Sequence, residues 1–177
     1  RILKLMGRRG SRAEYLELLQ KLRKEIPGIA VRTTFIAGFP TETEEEHEAL
    51  KAFLEEAKFE NCGFFAYSRE PDTPAYRLKG QVPARVKERR VRALYRTQQA
   101  ISAARLREYA GKRIRVLCDG IDYERSCFVG RAPFQAYEID GCVYFTAPRA
   151  ETGKVYEVDI ERADAYDLYG TVKENTL

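Results

Sequence analysis

At Lys112 the sequence changes its hydrophobic period, and that change limits the chain to two joined architectures. Beyond it, apolar and polar residues alternate in five short segments, KRIRVLCDG, RSCFVGRA, GCVYFTA, KVYEVDIER and YDLYGTV, separated by Gly, Asp or Pro. Strand side chains point to opposite faces in turn, so a period of two marks half-buried strands, and five of them suit a small antiparallel barrel. Before Lys112 the spacing is helical or continuous. SRAEYLELLQKLRKEIPG opens with Ser11 and Glu14 at capping-box spacing and sets Tyr15, Leu18, Leu19, Leu22 and Ile26 on one helical face before Pro27-Gly28 ends it. IAVRTTFIAG, between Gly28 and Gly38, suits a strand buried on both faces. Thr43 and Glu46 open a second helix that turns Leu50, Phe53, Leu54 and Ala57 inward, and NCGFFAYS follows as a second buried strand. Helix, strand, helix, strand with short links is the rhythm of a parallel sheet or barrel. Two parallel strands cannot cover their own faces, so the rest of that layer is expected upstream or in a partner chain.

REPDTPAYRLKGQVP breaks the pattern with prolines and turn residues, and Pro83 starts a long helix with Val86, Leu94 and Ile101 on a narrow stripe, ending near Gly111. Charge divides along the same lines. Lys/Arg against Asp/Glu is 12 to 13 over residues 1–76, 10 to 2 over 77–110 and 9 to 12 over 111–177, so the regional nets are −1, +8 and −3. The expected organisation is therefore an α/β portion (1–76), a basic connecting helix (77–110) and an all-β domain (111–177). The helix reads either as a solvated connector or as a surface facing a polyanion.

The 177 residues are 44% hydrophobic, enough for a real core. No run of about 18 apolar residues and no leader peptide is readable, which points to a soluble cytoplasmic protein with no membrane partner. Cys62, Cys118, Cys127 and Cys142 form no C-x-x-C pair, and the single histidine, His47, lies in a charged helical stretch, so no metal ligands are assigned. Cys62 and Cys142 are expected to be buried thiols. The chain begins with Arg1 and runs straight into a helical pattern, as a piece of something longer would.

Several ordered motifs, LKLMGRRGSRAEYLELLQKLR, RTTFIAGFPTETEEE, FFAYSREPDTPAY and EIDGCVYF, resemble the C-terminal half of methylthiotransferases of the radical S-adenosylmethionine superfamily. The resemblance implies the last part of a partial TIM barrel, then a linker helix and an OB-like five-stranded TRAM barrel. In a parallel barrel ligands sit at the C-terminal ends of strands. Alternation puts Arg32, Thr34 and Ile36 on one face; polar groups there need a ligand or a partner, and the alternative is a carboxylate from a missing strand. The resemblance implies that this strand and its terminal Gly38 meet S-adenosyl-L-methionine, with the backbone of Phe65, Ala66 and Tyr67 beside the adenine. Glu44, Glu45 and Glu46 read as capping charge at a helix start. The family's two 4Fe-4S clusters are held by cysteines with no counterpart here, so no catalytic residue is assigned and the fragment alone is expected to be inactive.

Two branches of that family differ in substrate: one modifies an adenosine of transfer RNA (MiaB-like), the other (RimO-type) an aspartate β-carbon of the twelfth small-subunit ribosomal protein. A module for transfer RNA should be basic. The net of −3 over 111–177 instead complements a basic ribosomal protein. VGRAPFQAYEIDGCVYF also resembles the RimO-type branch, although Gln135, Ala136 and Tyr137 stand where that branch often has D-A-P. The competing readings are a transfer-RNA methylthiotransferase, a non-catalytic RNA-binding TRAM protein, and a self-associating fragment with an open sheet edge.

Overall fold

The computed structural model describes residues 1–173. The chain forms two compact units, Arg1–Ile101 and a second that starts at Ser102. The first contains α1 (Ile2–Leu5), α2 (Arg12–Glu25), β1 (Arg32–Ala37), α3 (Glu44–Ala57), β2 (Asn61–Ala66), a 3-10 turn (Pro74–Arg77) and most of α4 (Ala84–Arg107). Its start signals are those expected. Ser11 Oγ accepts from Glu14 N, and Thr43 and Glu46 cap α3 reciprocally. At the far end of α3, Arg23 donates to the carbonyls of Ala57 and Lys58, where a cation suits the exposed carbonyls.

β1 and β2 are parallel, with Arg32 opposite Asn61 and Ile36 opposite Phe65. Leu19, Ala37, Leu54, Ala57, Phe59, Phe64 and Leu94 form the core, and Phe35 stacks on Phe64 at 5.8 Å. Two sequence expectations need correcting. The strands are not buried on both faces: Arg32, Thr34 and Ile36 are exposed while Ala37 is buried, and Phe65 is exposed beside buried Phe64. A continuous apolar run looks the same whether or not a second layer covers it. On α2 the buried stripe is centred on Leu19 with Leu16 beside it; Leu18 is exposed, and so is Ile26, which has left the helix as its C-cap.

The second unit is a closed barrel of β3 (Arg113–Asp122), β4 (Cys127–Arg131), β5 (Val143–Thr146), β6 (Val155–Ala163) and β7 (Leu168–Thr171), in ring order β3-β4-β5-β7-β6. Four pairings are antiparallel and β5–β7 is parallel. Parity explains the departure from a wholly antiparallel barrel: direction cannot alternate around a ring with an odd number of strands. Val116, Cys118, Val143, Phe145, Val158, Ile160 and Leu168 fill the interior. β3 and β4 approach so closely at Gly130 that a Cβ there would run into the Leu117 carbonyl and Val116. Leu106 and Tyr109, just before the barrel, pack on the same core.

All four cysteines are free, and the fully buried one is Cys118, not Cys62 or Cys142, which are half-buried. Burial nonetheless pushes the Cys62 thiol up to about 12.

Asp159 binds Arg113 at 2.6 Å and Lys173 at 3.4 Å. These cations, the Arg113 hydrogen bond foremost, hold its carboxyl down at about 2, below the ordinary aspartate value of about 3.9. A depressed carboxylate stabilises the fold above its unfolded value and loses that contribution as pH falls through the folded one. Asp159→Asn should therefore flatten the acid sensitivity of barrel unfolding between about pH 4 and pH 2, while leaving the slope above pH 5 unchanged in circular-dichroism titrations.

Candidate functional site

Alternation along β1 and β2 leaves one face of the two-stranded sheet open within the first unit. Arg32, Thr34 and Ile36 stand on it from β1, and Phe65 from β2. Ile36 is 44% exposed and Phe65 61%, a large apolar exposure for paired strand residues. Between Thr34 and Phe65 lies Gly63, where an added Cβ would touch Thr34 Oγ1 at 3.5 Å and Phe65 Cε2 at 3.6 Å. The missing side chain leaves a bare floor between a hydroxyl and an aromatic ring. Such a face offers stacking and apolar contact from Ile36 and Phe65, with hydrogen-bonding groups at its Thr34 and Arg32 end.

The other two expected site residues are placed differently. Gly38 is buried at the end of β1 with φ +74°, a backbone that glycine adopts without strain, and its N–H donates to Glu42 Oε2 at 2.9 Å. Tyr67 is turned away from the open face and is only 8% exposed, with its ring edge-on to Phe39 at 5.1 Å. Its backbone continues the strand edge, donating to the Ala37 carbonyl at 2.9 Å. The open face thus gathers Arg32, Thr34 and Phe65, while Gly38 and Tyr67 belong to the turns behind the strand ends.

Those turns are tied to α4 by a buried ion pair that sequence reasoning missed. Arg90 reaches Glu42 Oε1 at 2.9 Å and Glu44 Oε2 at 3.0 Å, and the side chains of Arg90 and Glu42 are 5% and 6% exposed. Burial raises the Glu42 carboxyl above its ordinary value, opposed by the Gly38 N–H and by Arg90. Glu44 also bonds Arg89, and Glu46 completes the cap of α3 and binds Arg1, so these acids do more than cap. His47 is buried beside this network, and desolvation lowers its pKa. No local signal reveals the Glu42–Arg90 pair, because 48 residues separate its members.

Among the described residues no group of three or more His, Cys, Asp or Glu could hold a metal ion. No described helix is long and apolar enough to cross a membrane.

On the second unit, five basic residues are already bonded to carboxylates: Arg113, Arg125, Arg131, Arg149 and Lys173. Tyr144 and Tyr169 stack 5.5 Å apart across β5 and β7, with Arg125 over the first ring and Arg162 over the second. That stack uses its ring faces on itself, whereas Tyr123, Tyr137, Ile139 and Tyr166 are exposed.

Residues 110–172 match the TRAM domain family. Over its whole length the chain is similar to proteins named ribosomal protein uS12 methylthiotransferase RimO. It is 43% identical to that of Lachnoclostridium phytofermentans over 97% of this chain, and 44% identical to that of Pelobacter propionicus over 99%. Identity to the Klebsiella pneumoniae protein is 45% over 97%. The chain is similar to one part of the RimO proteins. It spans about two fifths of the length of these relatives, 39%, 39% and 38% in the same order. Both the open sheet face and the barrel therefore lie inside the stretch shared with RimO proteins.

Replacing Arg90 by Met leaves Glu42 buried without its counter-charge, and should cost about 3–5 kcal/mol of unfolding free energy. Arg89→Met, at an exposed pair, should cost less than about 1 kcal/mol in the same denaturant titration.

Proposed function

We propose that this chain supplies part of the S-adenosylmethionine wall and the substrate-holding barrel of a radical methylthiotransferase that modifies an aspartate β-carbon of ribosomal protein uS12. The observation that carries the reading is its similarity to RimO proteins across both units, over 96–99% of its length. A ribosomal substrate would place the whole enzyme in the cytoplasm.

The chemistry of the open face supports S-adenosylmethionine as its ligand. Ile36 and Phe65 offer an apolar floor to an adenine, Gly63 leaves room above the sheet, and Thr34 and Arg32 offer a hydroxyl and a cation to the ribose and carboxylate. Gly38 and the Phe65–Tyr67 backbone set the rim of that floor. The cofactor and the family's two iron-sulfur clusters supply radical chemistry and sulfur when bound. This chain's own residues orient the cofactor and shield it, and the cluster ligands would come from outside the described residues.

The barrel's charge favours a basic protein over a nucleic acid. Its net is −3, and five of its nine cations are already engaged with carboxylates, so few remain for phosphate. Transfer RNA is the second reading, supported by the basic helix alone.

In the full-length protein, Thr34→Val and Phe65→Ala should each weaken S-adenosylmethionine binding, the latter about tenfold from lost apolar burial, in equilibrium dialysis. Wild-type affinity in both would remove the proposed wall. The isolated chain, reconstituted with iron and sulfide, should release no 5′-deoxyadenosine above a blank. Changing the exposed Glu124, Glu138 and Glu157 to Lys takes the barrel's net from −3 to +3. It should slow association with purified uS12 and invert its salt dependence; unchanged association, with modified nucleosides found in transfer RNA, would favour the second reading.

A further inference from the structure

The β1–β2 ladder ends at Ala37 and Ala66, yet the rim of the proposed wall lies just beyond it, at Gly38 and Tyr67. Two local contacts cross there: the Tyr67 N–H to the Ala37 carbonyl, and the edge-on packing of Phe39 against Tyr67. A third link comes from α4. The stem of Lys87 lies where Gly38 lacks a side chain, so close that a Cβ on Gly38 would sit 2.5 Å from Lys87 Cγ. Its ammonium then reaches the Tyr67 carbonyl at 2.8 Å and lies 5.0 Å from the centre of the Tyr67 ring. One side chain thus touches the residue after each strand.

One turn further along the same helix face, Arg90 holds Glu42, whose other oxygen accepts the Gly38 N–H. Gly38 is gripped by its amide from one side and by the Lys87 stem from the other. The first grip reaches α4 through Glu42 and Arg90 and the second directly, so the spacing of the strand ends is set by α4 as well as by the sheet.

We propose that Lys87 is a positioning residue for the cofactor wall: it fixes the separation of the Gly38 and Tyr67 backbones and thereby the shape of the rim against which the ligand rests. The proposal rests on the reading that the open β1–β2 face receives S-adenosylmethionine. Lysine suits the task because a long, slender stem passes over the glycine and a charged donor binds a main-chain carbonyl. Methionine keeps the stem and lacks the donor; arginine keeps both.

The test uses full-length protein carrying Lys87→Met, Lys87→Arg, Thr34→Val or Phe65→Ala, with S-adenosylmethionine affinity measured by equilibrium dialysis and corrected for the folded fraction. Lys87→Met should weaken binding about tenfold, the scale of a lost charge-assisted hydrogen bond, and Lys87→Arg should recover most of it. Faster hydrogen exchange at the Tyr67 amide in Lys87→Met would accompany the loss. If Lys87→Met lowers the melting temperature while its folded fraction binds as wild type, Lys87 is merely structural and the proposal fails. Weakening by Thr34→Val and Phe65→Ala with wild-type affinity in Lys87→Met overturns the proposal and leaves the wall standing. Wild-type affinity in all of them overturns both.

Discussion

A carboxylate and a guanidinium taken out of water together hold the first unit in one arrangement. Glu42 and Arg90 are almost fully buried, so each would carry a large desolvation cost alone. Their attraction, the Gly38 amide and the second contact to Glu44 offset that cost in this one docking of α4. Any slip of the helix by a turn would strand at least one charge in an apolar setting. The pair is therefore better understood as a specifier of register than as a source of net stability. Apolar contacts such as those of Leu94 with the phenylalanine cluster supply the attraction, and the ion pair selects which apolar contacts are made. The open sheet face inherits its shape from that choice, because its rim residues sit on the turn that Glu42 pins.

Much of this was legible in the residues themselves. Capping pairs at Ser11 and Thr43 marked two helix starts, and the switch to a period of two at Lys112 marked the barrel. Alternation correctly separated Arg32, Thr34 and Ile36 from Thr33, Phe35 and Ala37. Periodicity states which residues share a face, but it is silent on what covers that face, and so both strands read as buried throughout. It is equally silent on partners far apart in sequence. Arg90 is one cation among many in a basic helix, and nothing nearby shows that it leaves solvent to meet Glu42. Tyr67 illustrates a third gap: its alternation continues from Phe65, but the chain leaves the ladder after Ala66 and the side chain turns under Phe39.

The basic helix and the acidic barrel show how net charge and available charge differ. Part of the helix's positive charge is used internally, by Arg90 and Arg89 with the acids at the start of α3 and by Lys87 on a carbonyl. On the barrel, Arg113, Arg125, Arg131, Arg149 and Arg162 are similarly engaged, with carboxylates or over tyrosine rings. Tyr137, Ile139 and Tyr166 of the same unit stay exposed.

The parallel seam between β5 and β7 bears on the order in which the barrel can assemble. Hairpins or loops join β3–β4, β4–β5 and β6–β7, which are consecutive in sequence, but a parallel pair needs the chain to travel the length of the barrel and return. Here the chain between β5 and β7 passes through β6, which itself pairs with β3. Register partners lie 25 residues apart across the seam and 38 to 46 apart across β3–β6, so the larger loop-closure cost falls on β3–β6, the contact expected to form last. Loss of any one strand would open the ring into a curled sheet with two bare edges that could pair with another chain.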